Sequence, residues 1–508
     1  MALNWFDVAT FLAFMGLVLT ISLYMSRRQT SGEDYFLAGR NLSWWLIGFS
    51  LIASNISTEH FAGMAGRGYE LGLAIASYEW MAAVTLVVVA IFFLPRFLRA
   101  GIYTIPEYLE YRYSPAARTL MSVYMMLAYV FVALATVLYS GALALEAIFG
   151  IDTLLGIWLI GVLAGIYTTY GGLKAVVWSD LIQGAALLLG GTLVTVLCLV
   201  EIGGVGEFLR LGEDKLHTVL PANHPEMPWV AVFIGGLWIP NLFYWGLNQF
   251  ITQRTLAAKS LKDGQRGIML AAAIKLIIPM IIVFPGIMAT QLYPDKIGLA
   301  DQAYPVLIRE ILPAGLTGIM FAALFGAVMS SLDSLLNSAA TIFTMDIYKR
   351  HLRPRAGSAD LIVVGRIATA GLVFVGCLWA PVVARAGSVF DYIQMFWGFI
   401  SPGIVAVFVL GLLWRRVPPA AAVGAMLLGV PVYGALLGGF PDVAFLHHMG
   451  ITFLVLVTYM TVVTLVRPMT NPPSMPVRTQ IDLESSSTIK WAGAAVVLAT
   501  AGLYAVFW

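Results

Sequence analysis

The chain has 508 residues, of which 60% are hydrophobic and 11% charged, with a formal net charge of +2. A soluble domain carries about a quarter charged residues, so a water-soluble globule is excluded, and without a basic cluster so is a nucleic-acid-binding surface. The two cysteines, Cys198 and Cys377, both lie in apolar runs, which excludes a disulfide framework.

Many apolar runs approach the roughly 20 residues that cross a bilayer as a helix. A β-barrel would instead alternate over segments of about ten residues. The expected fold class is therefore an all-α polytopic membrane protein. In chain order the runs predict fourteen spans, at 5–25, 44–70, 74–98, 119–148, 152–170, 176–200, 229–253, 267–291, 315–345, 361–384, 388–414, 418–438, 446–466 and 489–507. The first is not a signal peptide, because it lacks a positive leading segment and a small-residue cleavage site. Arg27 and Arg28 follow it, which predicts an external N-terminus. With that orientation the odd-numbered loops are internal and hold most of the basic residues, including Arg96, Arg99, Arg254, Lys259, Lys349, Arg350, Arg415 and Arg416. The opposite loops carry Arg210, Lys215, Lys296, Arg309 and Arg385. This asymmetry is the positive-inside pattern and puts the C-terminus outside as well. The external loop at 201–228 reads as a short surface helix and 467–488 as a linker. No signalling domain is expected after the last span.

Few ionisable residues fall at membrane depth: Glu59, His60, Glu79, Asp180, Lys275 and Asp333. Each costs about 2.5–3.5 kcal/mol or more at the bilayer centre on insertion scales, so each needs a partner, a cavity or a function. The stretch "SLIASNISTEHFAGMAG" concentrates Asn55, Ser57, Thr58, Glu59 and His60 inside the second span. Small and polar residues there predict an interrupted helix, tolerated at this depth only where it is buried or lines a cavity. A second interruption is predicted in the seventh span, "GGLWIPNLFYWGLNQF", where Gly235 and Gly236 loosen the helix and Pro240 removes a backbone donor. Two interrupted spans five apart fit two inverted five-helix repeats, at 44–200 and 229–414, preceded by one span at 5–25 and followed by three at 418–507. The 1–508 chain is then a single transporter domain. Freed carbonyls can ligate a hard cation. Ser330 and Ser331 in "FAALFGAVMSSLDSLLNS", one turn beyond Ala327, offer further oxygen ligands that suit sodium better than a soft metal. Back-bonding of those hydroxyls to their own helix is an equal alternative at this point. No nucleophile–base pair or metal-ligating spacing points to an enzyme, and no filter ring points to a channel.

Eight stretches in order, "YFLAGRNLSWW", "SLIASNISTEHFAGMAGRGY", "GLAIASYEWMAA", "GIYTIPEYLEYRY", "YGGLKAVVWSDLIQ", "NLFYWGLNQFITQRTLAAKS", "SSLDSLLNSAATIFTMDIYK" and "YIQMFWGFISPGI", resemble the sodium/solute symporter family. The resemblance is strongest to its bacterial sodium–galactose and animal sodium–glucose members, and runs from Tyr35 to Trp508. It implies fourteen spans, a five-plus-five inverted repeat, and sodium-driven solute uptake by alternating access in a bacterial inner membrane. It implies a sodium site from the carbonyls of Ala53, Ile56 and Ala327 and the hydroxyls of Ser330 and Ser331. It implies a sugar site from Asn55, His60, Glu79, Asn241, Lys275 and Gln394, with Tyr244 stacking on the sugar as inner gate and Trp245 beside it. Met64, Tyr78 and Phe390 would form the outer lid. Asp180, Asp333 and Ser334 are a candidate second cation or proton site, with Asp333 standing where relatives have Ala, Ser or Thr. His60 stands where galactose-type members often carry Gln and glucose-type members His. The mixed donors and acceptors suit a neutral hexose. The alternative is a symporter of the same fold for an acidic sugar, a polyol or an amino acid. Sodium, the solute and the lipid bilayer are the only partners implied, and a single chain suffices.

Overall fold

The computed structural model describes residues 5–25, 31–57, 59–211, 213–384, 389–477 and 481–508. These residues form an all-helical bundle, in which twelve helical stretches are long and apolar enough to cross a bilayer. Two predicted spans are not among the twelve, for different reasons. The 152–170 span appears as a shorter apolar stretch, Thr153–Ile166. It runs into the next span as one helix, Thr153–Glu201, kinked where Gly172 takes a positive φ of 55°, a conformation glycine adopts without strain. The 44–70 span is split: Trp44–Asn55 is helical, Ile56 turns to extended backbone (φ −76°, ψ 107°), and helix resumes at Glu59–Met64 and Ala65–Leu71.

The seventh span is also interrupted, at two levels. Trp229–Phe233 ends in a turn, helix restarts at Trp238–Leu242 and Phe243–Leu247, and Asn248 is extended (φ −86°, ψ 120°) before Gln249–Leu256. Pro240 occupies the first turn of the restarted helix, where a missing N–H leaves nothing unsatisfied. Gly236 marks the turn because a Cβ there would overlap the backbone carbonyl of Leu446 on the neighbouring Phe445–Val466 helix. Gly236→Ala should therefore lower the thermal midpoint of the purified protein in detergent. Overpacking against a backbone atom costs about 1–3 kcal/mol, and a midpoint equal to wild type would count against this packing.

The two broken helices meet at their ends. Leu42 N donates to Ala257 O at 3.0 Å and Lys259 N donates to Leu42 O at 3.2 Å, joining the entry of the first to the exit of the second. Arg40 fastens the same corner, with Nε on Glu33 Oε1 at 2.7 Å, Nη1 on Leu256 O at 3.1 Å and Nη2 on Ile102 O at 2.9 Å. Nearby, Arg118 donates to Glu110 at 2.8 Å and Arg350 also reaches Glu110 at 2.8 Å. Burial alone would raise the Glu110 carboxyl, but these two guanidiniums hold it below the usual carboxylate range. The helix Leu316–Ile342 runs through the middle of the bundle: 94% of its span is buried, against 22% for the first helix at Trp5–Ser22, which lies on the rim. Asp7 on that rim helix accepts from Gly315 N at 2.6 Å and Gly318 N at 3.2 Å, satisfying free amides at the start of the central helix. Among the described residues five π-helical segments, Glu59–Met64, Val89–Phe93, Tyr129–Leu134, Phe243–Leu247 and Phe343–Leu352, interrupt the α geometry.

Candidate transport sites

The break at Ile56 leaves the last carbonyls of Trp44–Asn55 without their ordinary helical partners. Hydroxyls from the central helix reach two of them: Ser330 Oγ lies 3.4 Å from Ala53 O, and Ser331 Oγ 3.5 Å from Ser54 O. Both are long for an O–H···O bond, whose usual distance is about 2.7–2.8 Å. Ala53, Ile56 and Ala327 are buried with them. The predicted sodium residues are thus assembled from two elements, the broken helix and the central one. The serines point across to the break instead of back-bonding to their own helix.

One step away lies a second polar cluster. Asp180 accepts from Ser50, from Ser54 at 3.0 Å and from Ser330. Its cationic partner is Arg254, with Nη2 at 3.3 Å. Arg254 also donates through Nε to Ser50 at 2.6 Å, and to Ser54, Ser334 and the carbonyl of Phe250. This corrects the reading of Arg254 as an internal-loop charge: it is 1% exposed, on Gln249–Leu256 just past the Asn248 break. Of the residues suggested for a second cation, Asp180 and Ser334 are therefore arranged around an arginine. Asp333 turns elsewhere, with Oδ1 accepting from Thr168 at 2.6 Å and Oδ2 buried without a hydrogen-bond partner among the described residues.

A polar-walled cavity lies on the other side of the break. It has a volume of about 120 Å³, where a single water needs roughly 10–15 Å³, so it has room for several waters or one small solute. Asn55, His60, Glu79, Asn241, Tyr244, Trp245 and Gln394 line it, with Met64 and Tyr78. Every predicted substrate residue except Lys275 thus faces one space, as do the lid residues Met64 and Tyr78. The Phe390 side chain lies outside the described residues. Asn55 Nδ2 donates to Tyr244 Oη at 3.1 Å, while Asn55 Oδ1 accepts from Lys275 Nζ. Lys275 stands directly behind this wall, fully buried. It donates to Glu79 Oε2 and sits 4.8 Å over the Trp245 ring. His60 Nε2 reaches the other Glu79 oxygen at 3.5 Å. The lysine thus fixes Glu79 and Asn55, and Trp245 adds a cation–π contact. Asn241 spends its amide N–H on Leu237 O at 3.1 Å.

Two neighbouring cavities share parts of its wall. Tyr244 also borders a smaller cavity of about 50 Å³ that contains Ser54, Ser57 and Ser331. Tyr78 also borders a larger one of about 480 Å³ beside Arg67, Glu226 and Met227. Sequence reasoning missed Ile393 and Trp397, which join Gln394 in the wall, and it left Glu59 without a role. Glu59 lines both this cavity and the smaller one.

A helical membrane bundle with two interrupted helices, and polar groups gathered at the interruptions, defines a solute carrier that works without covalent chemistry. Residues 35–429 match the Sodium:solute symporter family, and the chain belongs to that family of sodium-coupled solute symporters. It is 41% identical to a sodium/glucose cotransporter of Vibrio parahaemolyticus, over 100% of this chain and 99% of the relative. It is 34% identical to the human sodium/myo-inositol cotransporter 2, over 84% of this chain and 68% of the relative. Among solved structures, a substrate-bound outward-open sodium-coupled sialic acid symporter superposes with a TM-score of 0.82 at 25% identity, covering 93% of this chain and 99% of that one.

Proposed function

We propose that this symporter carries a neutral hexose into the cell with sodium. The observation that carries the reading is Asn55, which donates to Tyr244 and accepts from the Lys275 that also holds Glu79. A sugar hydroxyl is both donor and acceptor, and this wall offers both kinds of group beside an aromatic ring. Sodium would bind between Ala53, Ile56, Ala327, Ser330 and Ser331, and the sugar would bind among Asn55, His60, Glu79, Asn241, Tyr244, Trp245 and Gln394, with Lys275 behind. Both sites share the break at Ile56. Sodium that bridges the break to the central helix should tighten sugar binding, and by linkage sugar should tighten sodium equally. The relatives named for glucose and for inositol both support a polyhydroxy solute without charge. Inositol is the reason to include polyols among the solutes tried.

We propose the full architecture on the same footing. Adding the split 44–71 segment and the 153–166 stretch to the twelve long helices makes fourteen spans, with both termini external. The extended residues Ile56 and Asn248 sit at corresponding breaks of repeats 44–200 and 229–414, which supports the inverted repeat.

The test is uptake of radiolabelled hexoses and inositol into proteoliposomes, with and without an inward sodium gradient, together with the charge moved per solute. Accumulation that requires sodium, at one charge per neutral solute, is expected, because Arg254 already supplies the cation beside Asp180. Uptake indifferent to sodium would reject the reading. Two charges per solute, reduced to one by Asp333→Ala, would establish Asp180, Asp333 and Ser334 as a second cation site.

A further inference from the structure

The charged groups around the solute cavity are paired, with one exception. Glu79 is held by Lys275 and approached by His60. Arg254 and Asp180, beyond the break, hold each other. Glu59 opens the π-helical turn Glu59–Met64, and its backbone amide is satisfied by Ser57 Oγ at 3.2 Å. Its carboxylate forms no ion pair and no side-chain hydrogen bond among the described residues, yet it lines the cavity between Asn55 and His60. No lysine or arginine lines that cavity, and the ammonium of Lys275 is already shared between Glu79 and Asn55.

Glu79 has Lys275 against it, so Glu59 is the acid of the cavity wall that has no cationic partner among the described residues. A buried carboxylate with no partner inside the protein is costly unless something from outside meets it. A solute ammonium group meets it, and a solute hydroxyl meets it in part by donating a hydrogen bond. A solute carboxylate places a second acid beside it among buried groups, where repulsion is less screened than in bulk water.

We propose that Glu59 sets the charge selectivity of this site. The cavity takes hexoses that carry an ammonium group, the 2-amino-2-deoxyhexoses, at least as well as neutral hexoses, and refuses hexuronates and other carboxylate solutes. This rests on the hexose reading above and extends it to a substrate class that reading does not contain. It also separates this chain from the structurally similar sialic acid carrier, whose named solute is an acid.

The experiment is competition against sodium-driven uptake of a radiolabelled neutral hexose, with glucose, glucosamine and glucuronate as competitors. In the unmodified protein, glucosamine should compete at a concentration equal to or below that of glucose, and glucuronate should need at least about tenfold more. In Glu59→Gln the preference for glucosamine over glucuronate should fall by at least about tenfold, and Glu59→Asp should restore most of it. Glucuronate competing as well as glucose in the unmodified protein would overturn the proposal without any variant. So would an unchanged glucosamine-to-glucuronate preference in Glu59→Gln while glucose still binds. If no hexose of any charge competes, the hexose reading fails and this one falls with it.

Discussion

Lys275→Met is expected to reduce sodium-driven uptake at low solute concentration by at least about a hundredfold. The lysine is fully buried and is the only lysine or arginine paired with Glu79 among the described residues. Removing one partner of a buried ion pair leaves the other charged and unpaired, which costs about 3–5 kcal/mol. At 1.4 kcal/mol per tenfold, that is about two to three and a half orders of magnitude if it falls on the transport-competent state. The loss should be felt twice, because Asn55 loses the same donor and with it the orientation of its amide toward Tyr244. Adding Glu79→Gln to Lys275→Met should recover thermal stability, since two neutral groups replace a broken pair. It should not recover uptake, since the sugar-facing carboxylate is gone. Recovery of both would mean that the pair serves the fold alone. Lys275→Arg is not expected to rescue: a planar guanidinium is a different shape from the compact ammonium now wedged over Trp245.

The second large effect is on stability. Arg254→Met should lower the free energy of unfolding in detergent by about 3–5 kcal/mol, measured by thermal or denaturant melting. Its guanidinium touches Ser50, Ser54, Ser334, the Phe250 carbonyl and Asp180, drawn from four helices. Without it Asp180 is a lone buried carboxylate. The companion change Asp180→Asn in the same protein should return more than half of the loss, because an amide needs no counter-charge. A double variant as unstable as the single one would show that packing of the arginine stem, and not its charge, is what matters.

Much of this arrangement was legible in the sequence. Apolar runs long enough to span a bilayer placed nearly every helix, because lipid enforces continuous helical hydrogen bonding and so makes run length informative. The polar string from Asn55 to His60 announced its own interruption for the same reason. Asn55, Glu79 and Tyr244, singled out through the family resemblance, line one cavity. What was not legible follows from distance along the chain. Asn248 looked like one more polar residue of the span, while Gly235, Gly236 and Pro240 drew attention as helix breakers. The break at Asn248 is held by a tyrosine more than a hundred residues earlier, Tyr129, whose hydroxyl donates to its side chain. Arg254 read as a loop charge because a span prediction ends where charge begins. Only the fold reveals that Asp180, 74 residues away, waits for it inside. Lys275 had no acid near it in sequence, which left Glu79 and Asp180 both open as partners, and the fold pairs it with Glu79, 196 residues away.

The π-helical turns bear on how such a carrier changes its diet over evolutionary time. A π turn holds one residue more than an α turn, and one residue is worth about 100° of rotation around a helix. Losing or gaining a residue at Phe243–Leu247 would swing Tyr244 and Trp245 out of the cavity wall and bring their neighbours in, with little change in helix length. The same event at Glu59–Met64 would replace Glu59 and His60 together. A lineage could thus refit the whole lining by a single codon deletion, where point substitutions would have to pass through many half-suited intermediates. In descendants of this chain, single-residue gaps at these two turns are therefore the places where a new solute should leave its genetic trace.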